Sequence, residues 1–130
     1  MVDVNLPSFS LLERDRRYEA VRREMAARGI DCLIAPQNTG EWDACQPDAR
    51  YLTSIGGGGT AVAAILPIEG SPIAIIRDAR RTEFWKRAQD WVAEVRGTVG
   101  GRWGEALVGA VRDLGCVRGR IGIAGLGDVL

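Results

Sequence analysis

Two short apolar runs separated by a turn constrain the fold of this chain more than any other feature. Residues 60–68 form a nearly continuous apolar segment of strand length, and residues 73–76 form a second one rich in isoleucine. The four residues between them, Glu-Gly-Ser-Pro, have turn composition, so the runs predict a β-hairpin. Because neither run alternates with polar residues, we expect both strands to be buried on both faces. A sheet covered on both faces needs helices on each side.

Patterns before and after the hairpin supply those helices and further strands. A capping-box pattern at Ser10 (Ser-Leu-Leu-Glu) and a glycine at Gly29 predict a helix over residues 11–28. Residues 91–95 fit either the end of a helix or a short strand. The other predicted elements, in chain order, are a strand at residues 30–35, an irregular connection at 37–50, a helix from Thr82, a helix at 103–114 and a strand at 120–124.

Composition bounds the class of protein and its environment. With 130 residues, 46% of them hydrophobic, the chain can bury the core of one globular domain. Seventeen basic and seventeen acidic side chains cancel, which gives no indication of nucleic acid or of a membrane surface as a partner. Cys32, Cys45 and Cys116 lack the spacing of a zinc site or disulfide framework. Without a signal sequence or a long apolar run, the chain is expected to be soluble and cytoplasmic.

The chain contains no histidine, and this narrows its possible chemistry. Ser-His-Asp and Cys-His nucleophilic sites, and histidine metal ligands, are thereby excluded. Glu41, Asp43 and Asp48 form the only local group of carboxylates, and surface loops are commonly acidic. We therefore predict no catalytic residue and no metal ligand in this chain.

The glycine run at residues 56–59 formally matches the dinucleotide-binding fingerprint, as Gly56-x-Gly58-x-x-Ala61. That fingerprint needs a strand before it and a helix after it, whereas β-branched residues and Pro67 favour a strand after this run. A nucleotide site is the weaker interpretation. The stronger one is a flexible entry into a strand, or a place where a backbone or ligand approaches closely.

Four segments of the chain, taken in their order along the sequence, match a known pattern. They are Gly29-Ile30-Asp31-Cys32-Leu33-Ile34, Arg50-Tyr51-Leu52-Thr53 followed by glycines, the hairpin that ends near Asp78, and Arg118-Gly119-Arg120-Ile121-Gly122-Ile123. From about Ser10 to Val129 the chain resembles the N-terminal domain of the creatinase/prolidase (pita-bread) metallohydrolases, although Ser54 stands where that family often has glycine. The resemblance implies an RNase H-like α/β fold at residues 10–130, a mixed sheet of about five or six strands with helices on its faces, after an arm at residues 1–9.

The resemblance also implies that this domain is not the catalytic one. In that family a following pita-bread domain, absent from this chain, holds two divalent metal ions (manganese, cobalt or zinc) that activate the hydrolytic water. The implied function is the N-terminal domain of a metal-dependent Xaa-Pro dipeptidase or aminopeptidase, a prolidase-like hydrolase. The 130-residue chain alone is expected to be inactive, and its end directly after a predicted strand suggests a piece of a larger enzyme. A creatinase-like C–N hydrolase and a free-standing binding or dimerisation module remain as alternatives.

The same resemblance implies a homodimer, contact with the chain's own catalytic domain, and a loop that restricts access of a peptide or small amide substrate. Substrate-contacting candidates are Trp42, Arg50, Gly56, Gly57, Gly58 and Gly59. Trp42 could pack against a prolyl ring, or it could simply close the loop onto the core. Arg50 could pair with a substrate carboxylate, or it could be a solvated neighbour of Asp48. Core positions are expected for Tyr51, Leu52, Trp85, Trp91 and Trp103, with the indole N–H groups of the tryptophans near the surface.

Overall fold

A computed structural model describes residues 9–37, 47–56 and 60–125 of the chain, which form a five-stranded sheet with helices on both faces. The elements are α1 (Leu11–Ala27), β1 (Cys32–Ala35), α2 (Pro47–Thr53), β2 (Val62–Pro67), β3 (Ile73–Ile76), a 3₁₀ turn (Ala79–Arg81), α3 (Thr82–Ala88), β4 (Glu94–Gly97), α4 (Trp103–Asp113) and β5 (Ile121–Ile123).

The strands lie in the order β4-β3-β2-β1-β5. β2 pairs antiparallel with both β1 and β3, whereas β3–β4 and β1–β5 are parallel pairs, so the sheet is mixed. The predicted hairpin is β2–β3, with Val62 opposite Ile76 and Ile65 opposite Ile73. β2 is the central strand and all six of its residues are buried. The α/β class and the mixed sheet of five strands are therefore confirmed.

Alternate residues of the strands enter two separate cores. Val62, Ala64 and Leu66 of β2 pack on what we call the first face, whereas Ala63 and Ile65 pack on the second face. The first face is covered by side chains from α1, α2 and α3: Tyr18, Met25, Leu52, Trp85 and Ala88. The second face is covered by side chains from α4: Trp103, Ala110 and Val111. This alternation explains why the hairpin strands are apolar throughout, because both sides of each strand are covered.

The capping signals at the ends of α1 are found with one difference. The Ser10 hydroxyl accepts a hydrogen bond from the Glu13 N–H, and Gly29 takes a left-handed conformation (φ 64°) after the last turn. The Glu13 carboxylate, however, binds the guanidinium groups of Arg16 and Arg17 instead of completing the reciprocal capping box. These hydrogen bonds lower the pKa of Glu13 to about 2.

Two parts of the connecting chain differ from expectation. The interval 37–50, predicted to be irregular, contains the start of α2, because Pro47 and Asp48 are good first-turn residues for a helix. The undecided segment 91–95 contains the beginning of β4. α3 ends before it because the Gln89 side chain donates to the Trp85 and Val92 carbonyls and accepts from the Val92 N–H.

The segments 29–34 and 118–123, which are far apart in the sequence, are hydrogen-bonded to each other where β5 lies beside β1. The Asp31 N–H donates to the Arg120 carbonyl, and the Asp31 carboxylate accepts from the Arg120 N–H, both at 2.8 Å. A Cβ added at Gly119 would lie 2.9 Å from Asp31, and one at Gly122 would lie 2.9 Å from Ile30. The glycines of the last segment therefore permit the close approach that joins β5 to β1.

Candidate functional site

One edge of the sheet gathers the described candidate residues. β1, β3, β4 and β5 all end there, whereas β2 begins there, as the pairings of Ala35 with Ala64 and of Ile76 with both Val62 and Gly97 require. We call this the site edge. The connection from α2 through Gly56 enters β2 at this edge, and in open α/β sheets ligands bind outside the carboxyl ends of strands.

Arg50 and Gly56, two of the six predicted site residues, are in contact at the site edge. A Cβ added at Gly56 would lie 3.1 Å from Cδ and 3.3 Å from Cγ of Arg50. The aliphatic part of Arg50 thus lies over the bare backbone of Gly56, which has a φ of 149°, a conformation that favours glycine. Arg50 itself is exposed to solvent. The bare backbone of the glycine therefore lets the stem of the exposed Arg50 side chain lie close to it.

Hydrogen bonds hold α2, and with it Arg50, in place. The Tyr18 hydroxyl donates to the Leu52 carbonyl at 2.6 Å, and the Thr53 hydroxyl donates to the Ala49 carbonyl at 2.8 Å. The Thr53 hydroxyl also accepts from the Ile55 N–H, and the Ser54 N–H donates to the Arg50 carbonyl. The Tyr18 bond joins the seven-residue helix α2 to α1, and the other three bonds stabilise the last turn of α2 and the residues after it.

Ser54 stands where the creatinase/prolidase family often has glycine, and its backbone conformation explains that preference. It is the one non-glycine residue with a positive φ (60°) among the described residues. This left-handed conformation costs most residues roughly 1 kcal/mol or more but costs glycine little. A glycine is therefore the natural occupant of this position, and the serine adopts the same conformation at some cost.

Tyr51 is not in the core, so this prediction was wrong, whereas Leu52 is buried as expected. Tyr51 is 40% exposed because it stacks on Arg17 instead: the guanidinium carbon lies 4.3 Å from its ring centroid. The same guanidinium lies 4.8 Å from the ring of Phe9 and 5.0 Å from that of Trp91, and it donates to the Tyr51 carbonyl. Sequence reasoning missed this cation–π cluster, because the four residues are distant in sequence and only the 13–17 charge spacing marks Arg17.

The remaining predicted site residues, Trp42, Gly57, Gly58 and Gly59, lie outside the described residues, as do Glu41 and Asp43. Asp48 is described, and its Oδ2 atom is buried with no hydrogen-bond partner in the described part of the chain. Arg50 is exposed, as expected for a solvated neighbour of Asp48, and its contact with a substrate stays a prediction.

The dinucleotide interpretation of the glycine run is wrong. Gly56 follows helix α2 and leads into strand β2, the reverse of the strand-then-helix order that the fingerprint needs. No helix N-terminus therefore follows the glycines to receive a pyrophosphate.

The tryptophan predictions are mostly confirmed. Trp85, Trp91 and Trp103 are buried, and the Trp91 indole N–H donates to the carbonyl of Phe9, an exposed residue. The Trp103 indole N–H lies away from the surface and has no partner within the described ranges, which differs from expectation.

Within the described ranges, no three possible ligands among His, Cys, Asp and Glu come together at one point. The two divalent metal ions that the resemblance implies thus have no ligand set in that part of the chain. In the same ranges, every helix is too short or too polar to cross a membrane.

Comparison with known proteins identifies the fold. The sequence matches no protein-family model, and no curated protein matches it significantly. Solved structures do match. One is the N-terminal creatinase/prolidase-like domain of a proposed metallopeptidase from Corynebacterium diphtheriae (TM-score 0.56, 19% identity, 85% of this chain and 74% of that chain). Another is the Xaa-Pro aminopeptidase, aminopeptidase P, from Streptococcus thermophilus (TM-score 0.58, 19% identity, 85% and 73%).

The chain therefore has the fold of a creatinase/prolidase-like N-terminal domain. This confirms the fold that the sequence pattern implied, across most of the chain. At 19% identity the likeness concerns the fold alone.

Proposed function

We propose that this chain is the non-catalytic N-terminal domain of a cytoplasmic, metal-dependent Xaa-Pro peptidase, and that it contributes to dimer assembly and to substrate restriction. The observation that carries the proposal is the shared fold with two domains from peptidases, over 85% of this chain. Both of these similar proteins are named as peptidases, which favours a peptidase over a creatinase-like hydrolase. In this proposal the two divalent metal ions are bound by a separate catalytic domain of the same protein.

Arg50 is our candidate for substrate restriction. Its stem lies against Gly56, its helix is joined to α1 by the Tyr18 hydroxyl, and the residue is exposed to solvent. A guanidinium binds a carboxylate through two parallel hydrogen bonds, and a dipeptide presents its carboxylate close to the scissile bond. An arginine in this position would favour short substrates with a free carboxyl end.

The test is to measure Xaa-Pro dipeptide hydrolysis by the protein expressed from its native gene with manganese present, for wild type and for Arg50→Ala and Arg50→Lys. We expect Arg50→Ala to raise KM about tenfold with little change in kcat, because a charge-assisted hydrogen bond to the substrate is lost. Arg50→Lys should recover part of the loss. Arg23→Ala is the matched control, since Arg23 is an exposed arginine of α1 away from the site edge.

Three results would count against the proposal at different levels. No hydrolysis of any Xaa-Pro peptide by the native protein would overturn the peptidase function. Hydrolysis with an unchanged KM in Arg50→Ala would overturn the role of Arg50 alone. An equal rise of KM in Arg23→Ala would show that the effect is a general loss of positive charge.

A further inference from the structure

The outer face of α4 carries a shallow groove that the proposed substrate site does not use. Its volume is about 400 Å³ and its walls are Gly104, Glu105, Val108, Gly109 and Arg112. The buried residues Trp103, Ala110 and Val111 lie on the opposite side of the helix, against the sheet. The groove therefore faces away from the core of the described domain.

The groove is apolar at its centre and open. Val108 is 56% exposed, and a Cβ added at Gly104 or Gly109 would meet no atom within 4 Å. Glycine is a poor helix former, so the two glycines do not serve the stability of α4. They leave two small depressions in the surface beside Val108. The valine side chain of a second copy could fill such a depression.

The charges at the ends of the groove are complementary to each other under a two-fold rotation. Glu105 and Arg112 are two helical turns apart and lie on the same face of α4. A two-fold axis midway between positions 108 and 109 would place a second α4 antiparallel to the first. Glu105 would then face Arg112 of the second copy, and Val108 would face Gly109 of the second copy, each twice because the interface is isologous.

Both charges are available for such a contact. Among the described residues, Glu105 pairs only with Arg102, at 3.6 Å and with both side chains more than 60% exposed. Arg112 is exposed and forms no salt bridge within the described part of the chain. Neither charge is needed to hold α4 in its own domain.

We propose that the outer face of α4 is a self-association surface for a second copy of this chain, packed antiparallel about an axis between Val108 and Gly109. The inference rests on the proposed function for the existence of a dimer, and on α4 alone for where the two copies meet. The helix has eleven residues and is about 16 Å long, so the contact is small and the association of the chain by itself is expected to be weak.

The test is sedimentation velocity of the full 130-residue chain over a concentration series up to about 1 mM, a range that detects weak complexes. We expect the mass to rise from the 14.1 kDa of one chain toward twice that value. Glu105→Arg and Arg112→Glu should each weaken association at least about fivefold, because each replaces two attractive contacts by two repulsive ones. The double variant Glu105→Arg/Arg112→Glu should restore it, since the reversed charges again face each other.

Two further variants complete the design. Val108→Asp should abolish association without unfolding the chain, because the valine is exposed. Arg23→Glu on α1 is the charge control and should associate like wild type.

The inference is overturned if the wild-type chain is a monomer at every concentration, or if it associates but is unaffected by Glu105→Arg or Val108→Asp. Failure of the double variant to recover would overturn the antiparallel register. Each of these results concerns association alone and leaves the hydrolysis test of the proposed peptidase activity untouched, so the two failures are distinguishable.

Discussion

The two faces of the sheet are covered very differently. In the described part of the chain, three helices pack on the first face, whereas α4 is the one helix on the second face. Ile121 and Ile123 of β5 show the consequence. Their partners in the sheet, Cys32 and Ile34, belong to the second face, yet among the described residues these two isoleucines are 39% and 49% exposed and lie outside the cluster that packs against α4.

The difference teaches that the faces have different tasks. The helices of the first face bury their apolar residues and hold Arg50 at the site edge. Within the described ranges, the second face keeps apolar surface at β5 outside the cluster that packs against α4, and α4 carries the proposed contact between copies. The following predictions test this division, from the largest expected effect to the smallest.

Gly97→Ala should lower the free energy of unfolding more than any other substitution proposed here. The reason is that Gly97, at the end of β4, packs directly against the 3₁₀ turn that leads into α3. A Cβ at this position would clash with the backbone of Ala79. We expect a loss of about 4 kcal/mol or more, or failure to fold. Urea denaturation is the measurement. Gly104→Ala on α4, where a Cβ meets nothing within 4 Å, is the control and should gain up to about 1 kcal/mol.

On the second face the cost of removing an isoleucine should depend on whether α4 covers it. Ile65→Ala, in the fully buried part, should cost about 2–5 kcal/mol of unfolding free energy. Ile123→Ala, on the same face in the exposed strand β5, should cost less than about 1 kcal/mol. Equal losses in denaturant titrations would contradict the account of an incompletely covered face.

High pH should lower the free energy of unfolding through two buried groups, one on each face of the sheet. Burial raises the pKa of Tyr18 on the first face to about 12. Burial, assisted by the neighbouring Cys116 thiol, raises the pKa of Cys32 on the second face to about 12. Since the unfolded chain ionises these groups near pH 10 and 9, the free energy of unfolding should fall as pH rises from those values to about 12.

The measurement for this prediction is denaturant titration at intervals from pH 8 to pH 12. Tyr18→Phe should flatten the fall above about pH 10, and Cys32→Ala should flatten the part that begins near pH 9. Curves parallel to that of the wild type in both variants would show that other groups cause the alkaline loss.

Ser54→Gly should give the smallest effect, a gain of up to about 1 kcal/mol in stability. The serine sits in a left-handed conformation that glycine adopts freely, although part of the gain is lost to the greater freedom of the unfolded chain. Thermal denaturation of the two proteins side by side is sufficient. A clear loss of stability would mean that the serine side chain makes a contact that outweighs the backbone cost.

The sequence predicted the central features of the fold for physical reasons that are local. The β2–β3 hairpin, Gly29 and the stripe of α4 follow from apolar periodicity and turn chemistry, which neighbouring residues determine. The short helix α2 was missed because seven residues give too little periodicity to outweigh a polar surrounding. The hydrogen bonds between Asp31 and Arg120 join residues far apart in the sequence, so no local pattern predicts them.

The candidate site could be predicted only in part. The sequence indicated Arg50 and Gly56 separately, but their contact depends on how α2 turns into β2 through Ser54. The cation–π cluster of Arg17 depends on α1, α2 and the segment after α3 meeting in space. Neither arrangement has a spacing in the sequence that would reveal it.

The most direct test of the central claim, that this chain is a non-catalytic domain of an Xaa-Pro peptidase, is hydrolysis of Gly-Pro with manganese present. The assay compares the protein expressed from its native gene with the purified 130-residue chain at equal concentration. The account predicts release of glycine and proline by the native protein and none by the 130-residue chain. Hydrolysis by the 130-residue chain, or no hydrolysis by the native protein, would contradict it.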